Sequence, residues 1–454
     1  MRKPALIVAC VLLTWGGRAG GRDWPQWRGP FFNGSTDETD LPVRWSATQN
    51  VKWTADLPGR GYSTPIVCQG RIFTTSTVER NEDLMGICVD EKTGKLLWQK
   101  KLSVGYPNMA GKNQSSCSPV ADGKVVVFLF GSGTLAGLDH DGTVLWQREL
   151  VREYGPMAAK WGYSSSPLLY KGKVYVVALR CRTAYRKTTA DGRPLPAKLL
   201  QNLDSYLLCV EPATGKTLFR HVRPVWSEGE DRETYATPIP CEFGGRSEIL
   251  LYGGDHITGH HPDTGRELWR WCCNPKDEGI WRRVVPSPVV DPQNGLVFLI
   301  RSQDKPQVRP MYALKLGQSG KIPDRNYVWR FPASSDLLGL NLTTDVCTPL
   351  LYKGRLYLLS DTKKTLNCLD PKTGRVIWRK VLLGGSTFRA SPTGADDKVY
   401  CMDWRGNAFV LAAGDQFRLL GRSQINERAT MASIVAANGH LYIRGKASLY
   451  CIGK

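Results

Sequence analysis

The sequence predicts an all-β fold, an eight-bladed β-propeller of four-stranded antiparallel blades, and three observations carry that prediction. One phrase recurs about seven times in the 454 residues, and an eighth copy is split between the two ends. Its period of about 40–50 residues is that of a propeller blade. The chain holds 46 Gly, 28 Pro and 15 Trp, a composition suited to short strands and tight turns, and no segment reads as a long amphipathic helix.

Each copy opens on a Ser/Thr-Pro step, passes a Gly turn and a β-rich stretch, and closes on Asp-x-x-Thr-Gly followed by an aromatic residue. Blade one runs from Thr64-Pro65 to Thr93-Gly94 and Trp98, and blade two from Ser118-Pro119 to Asp141-Gly142 and Trp146. Blade three opens at Ser166-Pro167 and puts Phe219 in the Trp place; blade four runs from Thr237-Pro238 to Thr264-Gly265 and Trp269. Blade five opens at Ser287-Pro288 and reaches Trp329 after a longer turn, and blade six runs from Thr348-Pro349 to Thr373-Gly374 and Trp378. Blade seven, from Ser391-Pro392, is degenerate, with Phe417-Arg418 where the Trp strand belongs. Three strands from Ser433 onward form an incomplete eighth blade. The stretch Val51 to Leu57, with Trp53, reads like the missing fourth strand, so an N-terminal strand at about 51–57 is expected to close the ring and cover the junction edge.

The residues of the phrase have local jobs. Thr-Gly supplies the positive φ of a hairpin between the third and fourth strands. The following indole lies between blades, so Trp53, Trp98, Trp146, Trp269, Trp329 and Trp378 are expected to dock one blade on the next. Ser/Thr-Pro suits the start of an innermost strand, where a missing N–H is tolerated.

Residues 1–21 read as a signal peptide. Arg2 and Lys3 precede an apolar run from Ala5 to Trp15, and Gly17-Arg18-Ala19 resembles a cleavage site. Residues 22–454 are then one propeller domain, exported to the periplasm or beyond, with no transmembrane segment. Lipid anchoring at Cys10 is disfavoured, because the apolar run continues past it. A net charge of +20 favours anionic partners over neutral ones. For an exported chain without a nucleic-acid motif, nucleic acid is not expected.

Thirteen cysteines become twelve without Cys10. Cys88, Cys209, Cys368 and Cys451 fall at one repeat position, and Cys68 and Cys241 at another. Recurrence at equivalent strand sites suggests small buried side chains, too far apart for mutual disulfides. Cys272-Cys273 is a possible vicinal disulfide.

The stretch Leu369-Asp370-Pro371-Lys372-Thr373-Gly374-Arg375-Val376-Ile377-Trp378 resembles the tryptophan-docking repeat of pyrroloquinoline-quinone (PQQ) propellers. Asp23-Trp24-Pro25-Gln26-Trp27-Arg28-Gly29-Pro30 is similar to the start of a large group of secreted bacterial PQQ-like proteins. The resemblance implies the propeller fold over residues 23–454. It also implies two relatives in fold, quinoprotein dehydrogenases and the propeller lipoprotein of outer-membrane β-barrel assembly.

A quinoprotein would need Ca²⁺ ligands, a catalytic Asp and basic residues for the quinone. Candidates must come from loops that enter the innermost strands and converge on the channel mouth. Those loops supply Arg60, Gln114, Trp161, Tyr163, Glu233, Arg283, Asn341, Asp345, Arg389 and Arg428, a polar, aromatic and basic rim suited to an anionic or sugar-like ligand. Glu233, Asn341 and Asp345 are the residues from which a Ca²⁺ site would be built. The Cys272-Cys273 pair lies at a blade's outer strand and not in the family's early loop, so it matches in residue type and not in place. No haem, Walker, nucleophile-elbow or zinc-hydrolase motif is present. A basic insertion at about 180–205 in blade three is the best candidate for a partner-specific loop.

The expected function is therefore an exported, non-catalytic, monomeric binding or scaffolding module for envelope protein or anionic polysaccharide, with no metal and no cofactor. A PQQ- and calcium-dependent alcohol or sugar dehydrogenase is the first alternative, and an outer-membrane protein assembly factor the second.

Overall fold

The computed structural model describes residues 22–454 except 79–81, 108–113, 158, 226, 228, 254, 274–279, 282, 302, 306–308, 333–341, 362 and 429–430. The proposed signal peptide, and Asn341 of the rim, lie outside the described residues. The chain forms eight antiparallel blades in a ring. In the sixth, for example, Leu350–Tyr352, Arg355–Ser360, Thr365–Leu369 and Val376–Val381 pair in sequence order from the axis outward. The eighth is built from Val435–Ala437, His440–Arg444, Ser448–Ile452 and the N-terminal strand Val51–Asp56, with Trp53 opposite Cys451. The N-terminal strand thus closes the ring as expected. No helix among the described residues is long and apolar enough to cross a membrane.

The docking indoles explain both the Thr-Gly turns and the cysteines. Trp53, Trp98 and Trp329 donate their indole N–H to Glu91, His140 and Pro371 carbonyls in the next blade's turn, at 3.0, 2.9 and 2.9 Å. Trp146 reaches the Pro212 carbonyl at 2.7 Å in the same way. Each ring covers the turn glycine. A Cβ on Gly94, Gly142, Gly215 or Gly374 would meet Trp53, Trp98, Trp146 or Trp329 within 3.0 Å. Those glycines serve both a positive φ and the absence of a side chain. Across the strand from the docking aromatic stands a small residue, and in four blades it is cysteine: Cys88 opposite Trp98, Cys209 opposite Phe219, Cys368 opposite Trp378, Cys451 opposite Trp53. All twelve described cysteines, Cys272 and Cys273 included, are buried thiols.

Two blades depart from the rule. In the fourth, Trp269 is buried against blade five but donates to Glu248 of its own sheet at 2.6 Å. The turn it would cover is absent, because the long connection in blade five runs outward and Gly320–Ile322 pairs in parallel with the outer strand Glu267–Cys272. Trp271 takes the inter-blade bond instead, to the Asp324 carbonyl at 3.0 Å. In blade seven the docking position is Gly421, opposite Val410. A Cβ there would lie 2.2 Å from the Val43 carbonyl oxygen. The N-terminal segment fills the gap, and Leu41 and Trp45 complete the core between blades seven and eight.

Candidate functional site

The Ser/Thr-Pro residues form a belt around the axis. In five of the seven the backbone N–H donates to the hydroxyl of the counterpart in the next blade: Ser118 to Ser166, Ser166 to Thr237, Thr237 to Ser287, Ser287 to Thr348 and Thr348 to Ser391, at 2.9–3.0 Å. Ser433 donates to Thr64 at 3.1 Å although no proline follows it. The shared requirement is the hydroxyl, with proline an accompaniment.

Successive strand side chains alternate in direction, so the residue two places before each belt position also faces the axis. Tyr62, Ser116, Ser164, Tyr235, Val285, Val346, Arg389 and Met431 form this second belt, and together the belts enclose an axial cavity of about 180 Å³. Trp27 closes it on the opposite side. The segment that carries Trp27 crosses under the axis. Trp24 and Val67 exchange backbone hydrogen bonds at blade one, and Pro25 accepts from Ala121 of blade two. The buried Arg28 guanidinium then donates to the Pro349 and Pro392 carbonyls of blades six and seven, at 3.0 and 2.9 Å. Burial lowers the Arg28 pKa to about 9.

The mouth carries an ion-paired arc. Glu230 accepts from Trp161 Nε1 at 3.0 Å and Lys160 Nζ at 3.1 Å, with Arg283 Nε 3.5 Å away. Burial opposes ionisation of Glu230, but these donors prevail and hold its carboxyl below the ordinary value. Arg283 also reaches Asp345 at 3.2 Å, and Arg309 binds the other oxygen of Asp345 at 3.2 Å. The Asp345 N–H donates to buried Asp361, and Arg389 lies 3.5 Å from the second Asp361 oxygen. That oxygen accepts no hydrogen bond among the described residues, and burial pushes the Asp361 carboxyl upward.

The predicted rim residues separate into three groups. Trp161, Glu233, Arg283, Asp345 and Arg389 gather in or beside this arc. Trp161 is 54% exposed, whereas Glu233 is fully buried. One Glu233 oxygen accepts from Tyr185 at 2.6 Å, and the other from the Tyr235 hydroxyl and the Lys160 N–H at 3.0 Å. Gln114 and Tyr163 are buried in packing roles. The Gln114 amide brackets the Tyr106 backbone at 2.7 and 3.0 Å, and the Tyr163 hydroxyl donates to Val177 at 2.6 Å within the core between blades two and three. Arg60 bridges to Thr77 on blade one, and Arg428 is exposed beside blade eight. Sequence reasoning missed Lys160, Glu230, Arg309, Asp361 and Trp27. Among the described residues, no three His, Cys, Asp or Glu side chains gather as metal ligands.

The insertion in blade three folds back over blade two. Its Thr189–Arg193 turn is closed by a backbone bond of 2.8 Å, and Arg186 lies 4.5 Å over the Tyr106 ring.

Comparison with known proteins places this architecture. A family profile described as "Outer membrane protein assembly factor BamB" matches residues 34–203 and 253–420. The chain belongs to that family. BamB from Moraxella catarrhalis shares the fold at a TM-score of 0.58 and 14% identity, with 89% of this chain and 97% of that one covered. The quinohemoprotein alcohol dehydrogenase of Comamonas testosteroni aligns at 0.66 and 12%, over 95% and 81% of the two chains. A europium-containing methanol dehydrogenase aligns at 0.66 and 11%, over 94% and 90%. No curated protein sequence matches the chain. At these identities the structural likeness speaks for the fold alone.

Proposed function

We propose that this BamB-family chain is an exported, non-catalytic propeller that binds envelope protein or anionic polysaccharide through the arc at the channel mouth. One observation carries the reading. Four cations (Lys160, Arg283, Arg309 and Arg389) converge there on three carboxylates (Glu230, Asp345 and Asp361), with Trp161 exposed beside them. A projecting Trp set among Arg side chains is the usual composition of a binding hot spot, and the net charge of +20 suits an anionic partner.

The quinoprotein alternative needs oxygens for calcium. Asp345 has both oxygens committed to arginines, and Glu233 has both committed to Tyr185, Tyr235 and the Lys160 N–H. These residues do not fit the ion. The family description supports the assembly-factor alternative, in which the partner is an outer-membrane protein.

Replacing Trp161 by a photo-crosslinking phenylalanine in the exporting cell tests the proposal. Envelope proteins or glycan should be captured, and Arg283→Glu with Arg389→Glu should abolish capture. Turnover of alcohols or sugars after addition of PQQ and Ca²⁺ would overturn it.

A further inference from the structure

A second cavity lies on the other face. It measures about 710 Å³ and opens between the N-terminal segment Pro30–Ser35 and the first turns of blades three to six. That size falls within the about 300–1,000 Å³ range of small-ligand sites. Its walls are aromatic. Phe31 is 42% exposed, and Phe32 meets Tyr170 edge-on at 6.1 Å. Tyr352 stands at the far side. Tyr170-Lys171-Gly172 and Tyr352-Lys353-Gly354 are the same turn sequence in blades three and six, so the repeat supplies one Tyr-Lys pair to each end. Lysine covers each tyrosine ring, at 5.2 Å for Lys171 and 5.9 Å for Lys353.

Hydrogen-bonding groups sit between the rings. Asn294 is fixed by Asp291, its N–H at 3.1 Å and its amide at 2.7 Å, and Gln293 beside it is exposed. Glu242 lies on the opposite wall, bound by the Tyr170 hydroxyl and by Lys171.

A second observation is independent of the cavity. Phe32 has φ +58°, a left-handed conformation that a bulky side chain adopts only under constraint. Its N–H is held by the Gly29 carbonyl at 3.3 Å, and the tyrosine edge fixes its ring. Strain of this kind concentrates at binding sites, where the surrounding structure over-determines it. Nothing in the repeat accounts for two adjacent phenylalanines at this edge.

We infer that this cleft binds an oligosaccharide. Aromatic walls accept the C–H face of a pyranose, while amides and a carboxylate between them suit its hydroxyls. The site is distinct from the mouth arc and stands or falls separately from the proposal made for it.

The test uses the mature protein and two probes, the β-1,4-linked hexasaccharides of glucose and of N-acetylglucosamine, followed by calorimetry and saturation-transfer NMR. At least one should bind. Phe31→Ala and Gln293→Ala, both at exposed positions, should each weaken it about tenfold or more with unchanged melting. Arg283→Glu at the mouth should leave it intact. The inference is overturned if neither probe binds, if Phe31→Ala binds as tightly as the parent, or if Arg283→Glu abolishes binding.

Discussion

The backbone N–H of Ser118 donates to the Ser166 hydroxyl at 3.0 Å, joining the innermost strands of blades two and three at the axis. The same bond recurs at Ser166–Thr237, Thr237–Ser287, Ser287–Thr348, Thr348–Ser391 and Ser433–Thr64. The hydroxyl therefore acts between blades, while the Thr-Gly turn and its Trp act at the periphery.

Thr237→Val removes one acceptor at nearly constant shape and leaves the Ser166 N–H buried without a partner. It should cost about 1–3 kcal/mol in denaturant unfolding, the desolvation penalty of an orphaned donor. Thr237→Ser, which keeps the hydroxyl, should stay within about 1 kcal/mol of the parent. Equal losses from both would remove the belt as a source of stability.

Gly374 and Gly354 have nearly the same left-handed φ, +69° and +67°, but only Gly374 lies against Trp329, 2.7 Å from where a Cβ would stand. Gly354→Ala should cost about 1–2 kcal/mol for the backbone alone. Gly374→Ala adds overpacking and should cost about 2–5 kcal/mol. Trp329→Ala in the Gly374→Ala background should be less than additive, because the clash has already been removed.

His260 is buried, bonded at Nδ1 to the Gly265 carbonyl and at Nε2 to the Thr258 hydroxyl. Burial lowers its pKa to about 3. The unfolded chain binds a proton below about pH 6.5 that the fold refuses, so this contribution is full above pH 6.5 and is lost as pH falls toward 3. Melting temperature against pH should flatten across that window in His260→Gln. A parallel decline in the variant would show that other groups set the acid limit.

Burial raises the thiols of Cys88, Cys209, Cys368 and Cys451 to about 12. Their folded pKa exceeds the unfolded value, so the contribution is complete below about pH 9 and is lost as pH rises toward 12. A thiol reagent at neutral pH should label them slowly in the native protein and rapidly in guanidinium. Fast native labelling of Cys88 or Cys368 would contradict the packing opposite Trp98 and Trp378.

The fold was legible because its signals are local and repeated. Thr373-Gly374 with Trp378 encodes within a few residues both a hairpin turn and the ring that docks on the next blade, and the repeated copies average out the exceptions. Trp269 fell outside the pattern because a distant segment, Gly320–Ile322, occupies the edge of its blade. The mouth was only half legible. Arg283, Asp345 and Arg389 were found from their loops, but Glu233 and Gln114 were expected on the rim and are buried. Counting back two residues from each Ser/Thr-Pro step would have located the second axial belt, since strand alternation fixes the direction. No sequence period points to Arg309, Asp361 or Trp27: Arg309 precedes the third strand of blade five, Asp361 follows the second strand of blade six, and Trp27 comes from the N-terminal segment.

Trp27 gives the axial channel a floor, and the strap that carries it is bonded to blades one and two on one side and blades six and seven on the other. The ring is therefore a cup and not a tube. A group that enters between Tyr62, Tyr235 and Arg389 thus meets the Trp27 indole at the far end of the axis and not a second open mouth.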